Sequence, residues 1–377
     1  MSGFRGRLVR FGDLTEDDLR RWRDLVACAA EPNVFFEPEV LMPAVRHLAS
    51  PGAVRLAVVT AADGRWVACA PVKREIAWGR LRLPVLAVWT HEFSGLEVPL
   101  VDAAVLGPAV RALLRLLRRP RNGLFAAFTQ VPGDGPFHLA LEECARGAVE
   151  VARYERAALR RRPASTYLDG MRGKRRQELA RMRRRLEEHH ADVRTVDMTG
   201  DPAALDAFLA LEASGWKGRE GTALGSDPAH AVCFRSACTA LRAAGRLQVI
   251  ALMADGRPVA MKCNGIAGNR VFGFKQAYDE SMAAYSPGRL LDVDLMRDFH
   301  GRDGADVLDT IGSAHNETLN AMWPDRLVMT TVLVPARGPL GRAAGAVLRR
   351  LVSPAPPHRD TMPASDMPLA AGAGAGR

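Results

Sequence analysis

The sequence predicts a mixed α/β (α+β) fold in two domains, each built on a mostly antiparallel sheet flanked by helices. The length of 377 residues suits two domains better than one, and 48% apolar residues suffice for substantial cores. Apolar runs of strand length alternate with segments of helical period along the chain. The texture then changes at Arg160–Arg185, a stretch that holds Arg160, Arg161, Arg162, Arg172, Lys174, Arg175, Arg176, Arg181, Arg183, Arg184 and Arg185. A boundary near Ala158 divides the chain into an N-terminal domain, 1–158, and a second domain, 159–336. A basic segment and tail, 337–377, follow.

In the first domain, Thr15 to Ala30 reads as a helix. Thr15 caps it, Asp18 stands three residues on, and Leu19, Trp22 and Val26 share a face. Pro38–Leu48 is a second helix. Val54–Thr60 and Trp66–Val72 flank Asp63-Gly64, the pattern of a β-hairpin. Leu83–Trp89 and Leu124–Val131 are strands, with a helix at Val105–Leu117 between them and another at Pro136–Ala145.

In the second domain, Leu179, Met182 and Leu186 give the basic segment one apolar helical stripe. Asp201-Pro202 has the form of a helix start, with Leu205, Phe208 and Leu209 as its buried face. A glycine-rich loop with Gly215, Gly218, Gly221 and Gly225 follows. Phe234, Ala237, Cys238 and Leu241 mark another helix, which Gly245 stops. Strands at Leu247–Met253, Pro258–Ala267 and Val271–Tyr278, joined by Asp255-Gly256 and Gly268-Asn269, form an antiparallel meander. Ser286-Pro287-Gly288 opens a helix with Leu291, Leu295 and Phe299 on one face. Strands at Ala305–Ile311 and Leu327–Val334 complete the domain. Leu340–Val352 has the pattern of a short basic amphipathic helix. From Ser353 the Pro, Ala and Gly content predicts disorder. No internal repeat stands out in the sequence.

The composition narrows the function. No run of eighteen apolar residues is present and the N-terminus lacks a signal-peptide core, so a cytoplasmic protein is expected. The six cysteines form no C-x-x-C pair and read as buried, reduced thiols. The net charge of +10 points to anionic partners: CoA phosphates, a nucleic acid or a membrane surface touched peripherally. No spacing supports a metal site, and His189-His190 reads as a helix end.

Chemistry concentrates around Ser286-Pro287-Gly288. A helix N-terminus offers unpaired N–H groups and a partial positive charge, and phosphates bind there. Gly288 has no Cβ to hold a pyrophosphate off, and Arg289 adds a cation. The plainer alternative is that Ser-Pro-Gly only turns the chain into the helix.

The order of elements resembles the GNAT fold, and the residues resemble one branch of it. Asn33-Val34-Phe35-Phe36-Glu37-Pro38-Glu39, Pro99-Leu100-Val101-Asp102, the basic helix around Lys174–Leu186, Leu211-Glu212-Ala213-Ser214-Gly215-Trp216-Lys217, Gly221-Thr222-Ala223-Leu224 and Ser286-Pro287-Gly288 are similar to the CelD-like (BioF-type) acetyltransferase family. That family lies near bacterial polysaccharide genes and is related to Fem-type aminoacyl transferases. The resemblance spans Asn33 to Asp309. It implies two GNAT-like domains, with acyl-CoA bound by the second between splayed strands. It also implies acetyl-CoA or another acyl-CoA as donor, no metal, and direct transfer to an amino sugar, a sugar hydroxyl or a small amine in surface polysaccharide synthesis. One departure stands out: relatives carry Gly-x-x-x-Tyr-Lys after the strand, whereas here Gly312 precedes Ser313-Ala314-His315-Asn316-Glu317.

On this basis Ser286, Pro287, Gly288, Arg289, Leu290, Lys217 and Tyr278 are the expected acyl-CoA contacts. Asp309, at a strand end, is the candidate to position or deprotonate the acceptor, and Glu212 lies on a helix near the expected acceptor cleft. Tyr285, or Tyr278, would protonate the departing thiolate. His315 is a substitute base for the missing Tyr-Lys. Each of these residues also has a structural alternative: a cap, an ion pair or ordinary packing. Two other functions compete: transfer from aminoacyl-tRNA, suggested by the Fem relationship and the basic helix, and a catalytically degenerate scaffold in polysaccharide assembly.

Overall fold

The computed structural model describes residues 3–76, 83–91, 93–163, 166, 168, 171–301 and 304–352; the tail expected to be disordered lies outside these. The chain opens with β1 (Arg5–Arg10), α1 (Glu16–Cys28), α2 (Pro38–Leu48), β2 (Val54–Thr60), β3 (Trp66–Glu75), β4 (Val85–Val88) and β5 (Leu100–Val101). It continues with α3 (Leu106–Leu117), β6 (Phe125–Pro132), α4 (Pro136–Cys144) and β7 (Val149–Arg160). Next come α5 (Gly173–His189), β8 (Val193–Asp197), α6 (Ala204–Ser214), α7 (Trp216–Arg219), α8 (Pro228–Ala243), β9 (Leu247–Ala254), β10 (Arg257–Ala267) and β11 (Arg270–Tyr278). The last elements are α9 (Pro287–Gly301), β12 (Val307–Asp309), α10 (Glu317–Met322), β13 (Asp325–Pro335) and α11 (Pro339–Leu351).

Local chemistry explains the element ends. Thr15 and Asp18 form a reciprocal capping box at the start of α1. Asp227 caps α8, whose second signal is Pro228 at the first turn. α6 starts later than its sequence suggests. Asp201 accepts the N–H of Ala203 at 2.8 Å and spends its capping capacity on a turn, so the helix begins at Ala204. Four of the six cysteines are buried as expected, but Cys28 is exposed at the end of α1 and Cys144 is half-buried.

Among the described residues, all thirteen strands join one sheet in the order β1-β2-β3-β4-β6-β13-β7-β12-β11-β10-β9-β8, with β5 on β3. Only β4–β6 and β11–β12 are parallel; every other pair is antiparallel. The order holds a repeat that the side chains conceal. Apart from the short elements β5 and α7, a strand, two helices, three antiparallel strands, a helix and a parallel partner run from β1 to β6 and again from β8 to β12. Each half then sends its next strand into the other: β7 pairs with β12, and β13 pairs with β6. The division near Ala158 falls inside β7, an unbroken strand.

The halves are also tied by side chains. Phe35, from the segment before α2, packs its ring 5.8 Å from Phe272 and 6.1 Å from Phe274 on β11. Arg246, after α8, pairs with Glu37 and Glu39. One large apolar cluster therefore spans both halves, from Val9 to Val334.

Candidate active site

β11 and β12 run together only briefly. Arg270, Val271 and Phe272 face Val307, Leu308 and Asp309; β12 then ends while β11 continues to Tyr278. The strands part at this point, and the gap is a cavity of about 440 Å³. Gly273 to Gln276 of β11 form one wall. Thr310 to Ala314, with Asn316 and Leu319, form a second. Lys217 and Lys262 also line it, and the N-terminal half closes it with His91, Phe93, Ser94, Gly95, Gln130 and Tyr154.

Several local features hold the gap open. Cys263 faces Lys275 and Asn264 faces Gly273, so Phe274 is the extra residue of a β-bulge at the point of divergence. A Cβ on Gly273 would lie 3.0 Å from the Thr310 carbonyl oxygen, so glycine permits the close approach just before the strands part. Ile311, after β12, has φ +54°, a conformation a β-branched residue adopts only under constraint. The constraint is visible. Asp309 Oδ1 accepts the Ile311 N–H at 3.0 Å, Thr310 Oγ1 donates to the Ala157 carbonyl at 2.6 Å, and the Gly312 N–H donates to Thr310 Oγ1 at 3.2 Å.

The equivalent gap in the N-terminal half is filled by the chain itself. β4 and β6 pair from Val85–Phe125 to Ala87–Ala127 and then diverge. Glu97 occupies the space: its N–H donates to the Gln130 carbonyl at 3.3 Å, and its carboxylate accepts the Thr129 N–H at 2.6 Å and the Thr90 hydroxyl at 3.3 Å. Burial pushes the Glu97 carboxyl up to about 7, against the pull of those hydrogen bonds.

The free edge of β11 leads to the start of α9. Ser286 turns the chain with φ +51°, and its carbonyl accepts the N–H groups of Arg289 and Leu290 at 3.0 and 3.2 Å. Gln276 Nε2 donates to the Gly288 carbonyl at 2.9 Å, which fixes the helix end to the strand. A Cβ on Gly288 would meet the Gln276 side chain at 3.2 Å and Tyr278 at 3.6 Å. The basic helix α5 lies alongside: Arg183 pairs with Asp294 of α9, and the Arg185 guanidinium sits 5.8 Å over the Tyr285 ring. Lys174, Arg176, Arg181 and Arg184 remain exposed on it.

Of the residues singled out in the sequence, Ser286, Pro287, Gly288, Arg289, Leu290 and Tyr278 are gathered at the end of the β11 edge, and Lys217 lines the cavity. Asp309, Glu212 and Tyr285 do not line it. Asp309 is wholly buried and paired with Arg156, itself 1% exposed, which also donates to the Gly95 carbonyl. Glu212 accepts from Lys217 Nζ at 2.8 Å and from the Leu224 N–H at 2.9 Å, so it anchors a cavity residue from behind. Tyr285 packs between His189 and His190, with ring centroids 5.9 and 6.2 Å away. His315 is exposed beside the cavity's second wall.

Sequence reasoning passed over His91 to Gly95, Gln130, Tyr154, Lys262 and Lys275. A signal existed for Lys262, a cation in the middle of the apolar run Val259–Cys263 of β10; it is buried, bonded to Asp292 at 2.7 Å, with its Nζ 5.0 Å from the Trp323 ring centre. Burial, and the nearby Lys275 charge, push the His91 imidazole down to about 3, so it is neutral near pH 7. Among the described residues, no group of His, Cys, Asp and Glu is placed to hold a metal ion, and no helix is long and apolar enough to cross a membrane.

Residues 173–317 match the family model described as the acetyltransferase (GNAT) domain. That segment contains the basic helix, β9 to β12, the gap and the start of α9. Solved structures resemble the whole chain. FemX matches with a TM-score of 0.58 at 9% identity, over 92% of this chain and 99% of that one. L-PGS from Bacillus licheniformis gives 0.52 at 13% identity, over 88% and 96%. The C-terminal domain of a putative lysylphosphatidylglycerol synthetase from Agrobacterium fabrum gives 0.51 at 15%, over 88% and 94%. At these identities the likeness is one of fold. No curated protein matches by sequence.

Proposed function

We propose that the protein is an acyl-CoA-dependent N- or O-acyltransferase, with acetyl-CoA or a longer acyl-CoA as donor. The parting of β11 from β12 carries this reading: it exposes a strand edge, Gly273 to Tyr278, that ends at a helix N-terminus. The donor's pantetheine lies along that edge, its pyrophosphate meets the first turn of α9 at Gly288 and Arg289, and its thioester reaches the cavity. The bulge at Phe274 supplies the backbone donor for the developing oxyanion. The acceptor nitrogen or oxygen attacks the thioester carbon, the C–S bond breaks, and the acceptor's proton passes by way of solvent and side chains to the CoA thiolate. Tyr154, the described tyrosine that lines the cavity, takes the proton-donating role the sequence suggested for Tyr285. Asp309 and Glu212 act one step back: Asp309 shapes the Thr310–Gly312 wall, and Glu212 holds Lys217. The CelD-like resemblance makes an amino sugar, a sugar hydroxyl or a small amine of surface-polysaccharide synthesis the acceptor to try first.

Transfer from aminoacyl-tRNA is the second reading. The exposed cations of α5 beside the start of α9 favour it. Calorimetric titration of the full chain with acetyl-CoA and longer acyl-CoAs, beside Gly288→Asp, separates the two. The new carboxylate repels a pyrophosphate; aspartate suits a first helical turn, and its Cβ needs only the end of the Gln276 side chain to shift by a few tenths of an ångström. Micromolar acyl-CoA binding that Gly288→Asp abolishes supports the first reading. Salt-sensitive tRNA binding without acyl-CoA binding supports the second.

A further inference from the structure

The cavity is bordered by constrained backbone from both halves of the chain. Among the described residues, four that are not glycine have positive φ: Gln130, Asp255, Ser286 and Ile311. Asp255 belongs to the tight turn with Gly256, and Ser286 opens α9. The other two, Gln130 at φ +48° and Ile311, both line the cavity. Such conformations persist only where the surroundings enforce them, and they gather at binding and catalytic sites.

Glu97 enforces the conformation of Gln130. Thr330 faces Val131 and Val332 faces Phe128, so Thr129 and Gln130 stand together opposite Thr331 in a β-bulge of β6. Glu97 holds that bulge at two points: its carboxylate accepts the Thr129 N–H at 2.6 Å, and its own N–H donates to the Gln130 carbonyl at 3.3 Å. The residue that fills the gap of the N-terminal half thus fixes a residue in the wall of the other gap. Gln130 is only 9% exposed, and among the described residues none bonds to its side-chain amide. Polar side chains buried to this degree are rarely left unpaired. This one is a carboxamide in a cavity wall, with one end that donates and one that accepts, the match for a hydroxyl, which does both.

We infer that the Gln130 amide holds a hydroxyl of the acceptor, and that the acceptor is a small hydroxyl-bearing amine, an amino sugar or an amino alcohol. The inference deepens the proposed transfer and rests on the acyl donor lying along β11, which leaves the wall of the N-terminal half to the acceptor. The constraint at Gln130 serves this task, because a side chain whose backbone is already fixed loses less freedom when it binds. The N-terminal half, whose own gap is closed by Glu97, then takes part in the reaction by selecting the acceptor.

Two pairs of amines test this: glucosamine beside cyclohexylamine, and serinol beside isopropylamine. Each pair differs chiefly in hydroxyl groups. All four are titrated calorimetrically into the full chain in the presence of CoA, and acetyl-CoA is titrated alone. At least one hydroxyl-bearing amine should bind about tenfold or more tighter than its plain counterpart. Gln130→Met keeps the length of the side chain and loses the amide. It should weaken the favoured amine about three- to tenfold and leave the plain amine and acetyl-CoA unchanged. Gln130→Gly loses the amide as well but relieves the positive φ, so it should melt about 1–3 °C above Gln130→Ala and serves if Gln130→Met melts early. A wild-type protein that binds neither hydroxyl-bearing amine tighter than its counterpart overturns the inference, and acetyl-CoA binding by that protein leaves the donor reading standing. A preference that survives in both Gln130→Met and Gln130→Gly also overturns it. So does an equal loss of all four amines and acetyl-CoA in those variants, the mark of a structural role. A preference that depends on Gln130 in a protein without acetyl-CoA affinity keeps the hydroxyl site and removes the donor reading instead.

Discussion

Replacing Asp309 with Asn separates two roles for the residue. The sequence presents a strand-end carboxylate placed for chemistry, whereas the fold pairs it with Arg156 where neither side chain reaches solvent. Asn keeps the shape and the acceptor for the Ile311 N–H, but leaves the Arg156 charge without its partner. Breaking a buried ion pair on one side costs about 3–5 kcal/mol. With an unfolding entropy of about 2.1 cal/mol/K per residue, or about 0.8 kcal/mol/K for 377 residues, Tm falls by about 4–6 °C. Removing the arginine charge as well, in Arg156→Met/Asp309→Asn, should return part of the loss, with a coupling energy of about 2 kcal/mol. Thermal and denaturant unfolding of the wild type, both single variants and the double variant measure the cycle. An Asp309→Asn protein that melts with the wild type, yet loses about a hundredfold or more of its transfer rate, would refute the structural role and return Asp309 to the chemistry.

A Cβ on Gly95 would lie 1.9 Å from Ile311 Cγ2, so Gly95→Ala should push the strained turn into the cavity, costing about 1–3 kcal/mol in stability and lowering acceptor affinity; unfolding and binding measurements on one preparation check both. Glu97→Gln should flatten the pH dependence of stability. The folded carboxyl ionises near 7 against 4.5 unfolded, so its contribution is full below 4.5 and is lost by about 1.4 kcal/mol per unit as pH rises towards 7; denaturant curves at several pH values show whether the variant lacks that slope. Thr15→Ala removes the hydroxyl that accepts the Asp18 N–H, while the residue 15 N–H can still donate to the Asp18 carboxylate, and should cost about 1 kcal/mol in chemical denaturation.

Local chemistry was legible in the sequence where it acts alone. The Thr15 cap, the Asp-Gly hairpin at Asp63-Gly64, the meander from Leu247 to Tyr278 and the turn at Ser286-Pro287 depend on neighbours a few residues away, and the structure has all of them. β7 was not legible. Its residues Val149–Arg160 alternate with Glu150, Arg153, Glu155 and Arg156, a polar pattern that suggests surface, yet the strand lies inside the sheet. Arg156 is tolerated there because Asp309, 153 positions away, pairs with it, and no local pattern records that distance. The short edge strands β1 and β8 are half-exposed and lack an apolar run for the same detection. The candidate site divided along the same line. The α9 start announced itself through Pro and Gly, whereas the wall of His91, Phe93, Ser94 and Gly95 comes from the other half and is brought to β11 only by the tertiary fold.

The exchange of β7 and β13 has a consequence for how the protein is made. As the chain leaves the ribosome, the first half emerges complete in sequence but short of one strand, because β13 ends at Pro335. Until that strand arrives, the hydrogen-bonding edge of β6 stays unsatisfied, and β7 waits for partners on both sides. The usual order of synthesis, in which an early domain folds and closes before the next is made, is therefore not open to this chain. Both halves reach their final form in one late event, and a nascent chain stalled before Pro335 presents a bare strand edge to chaperones, proteases or another copy of itself.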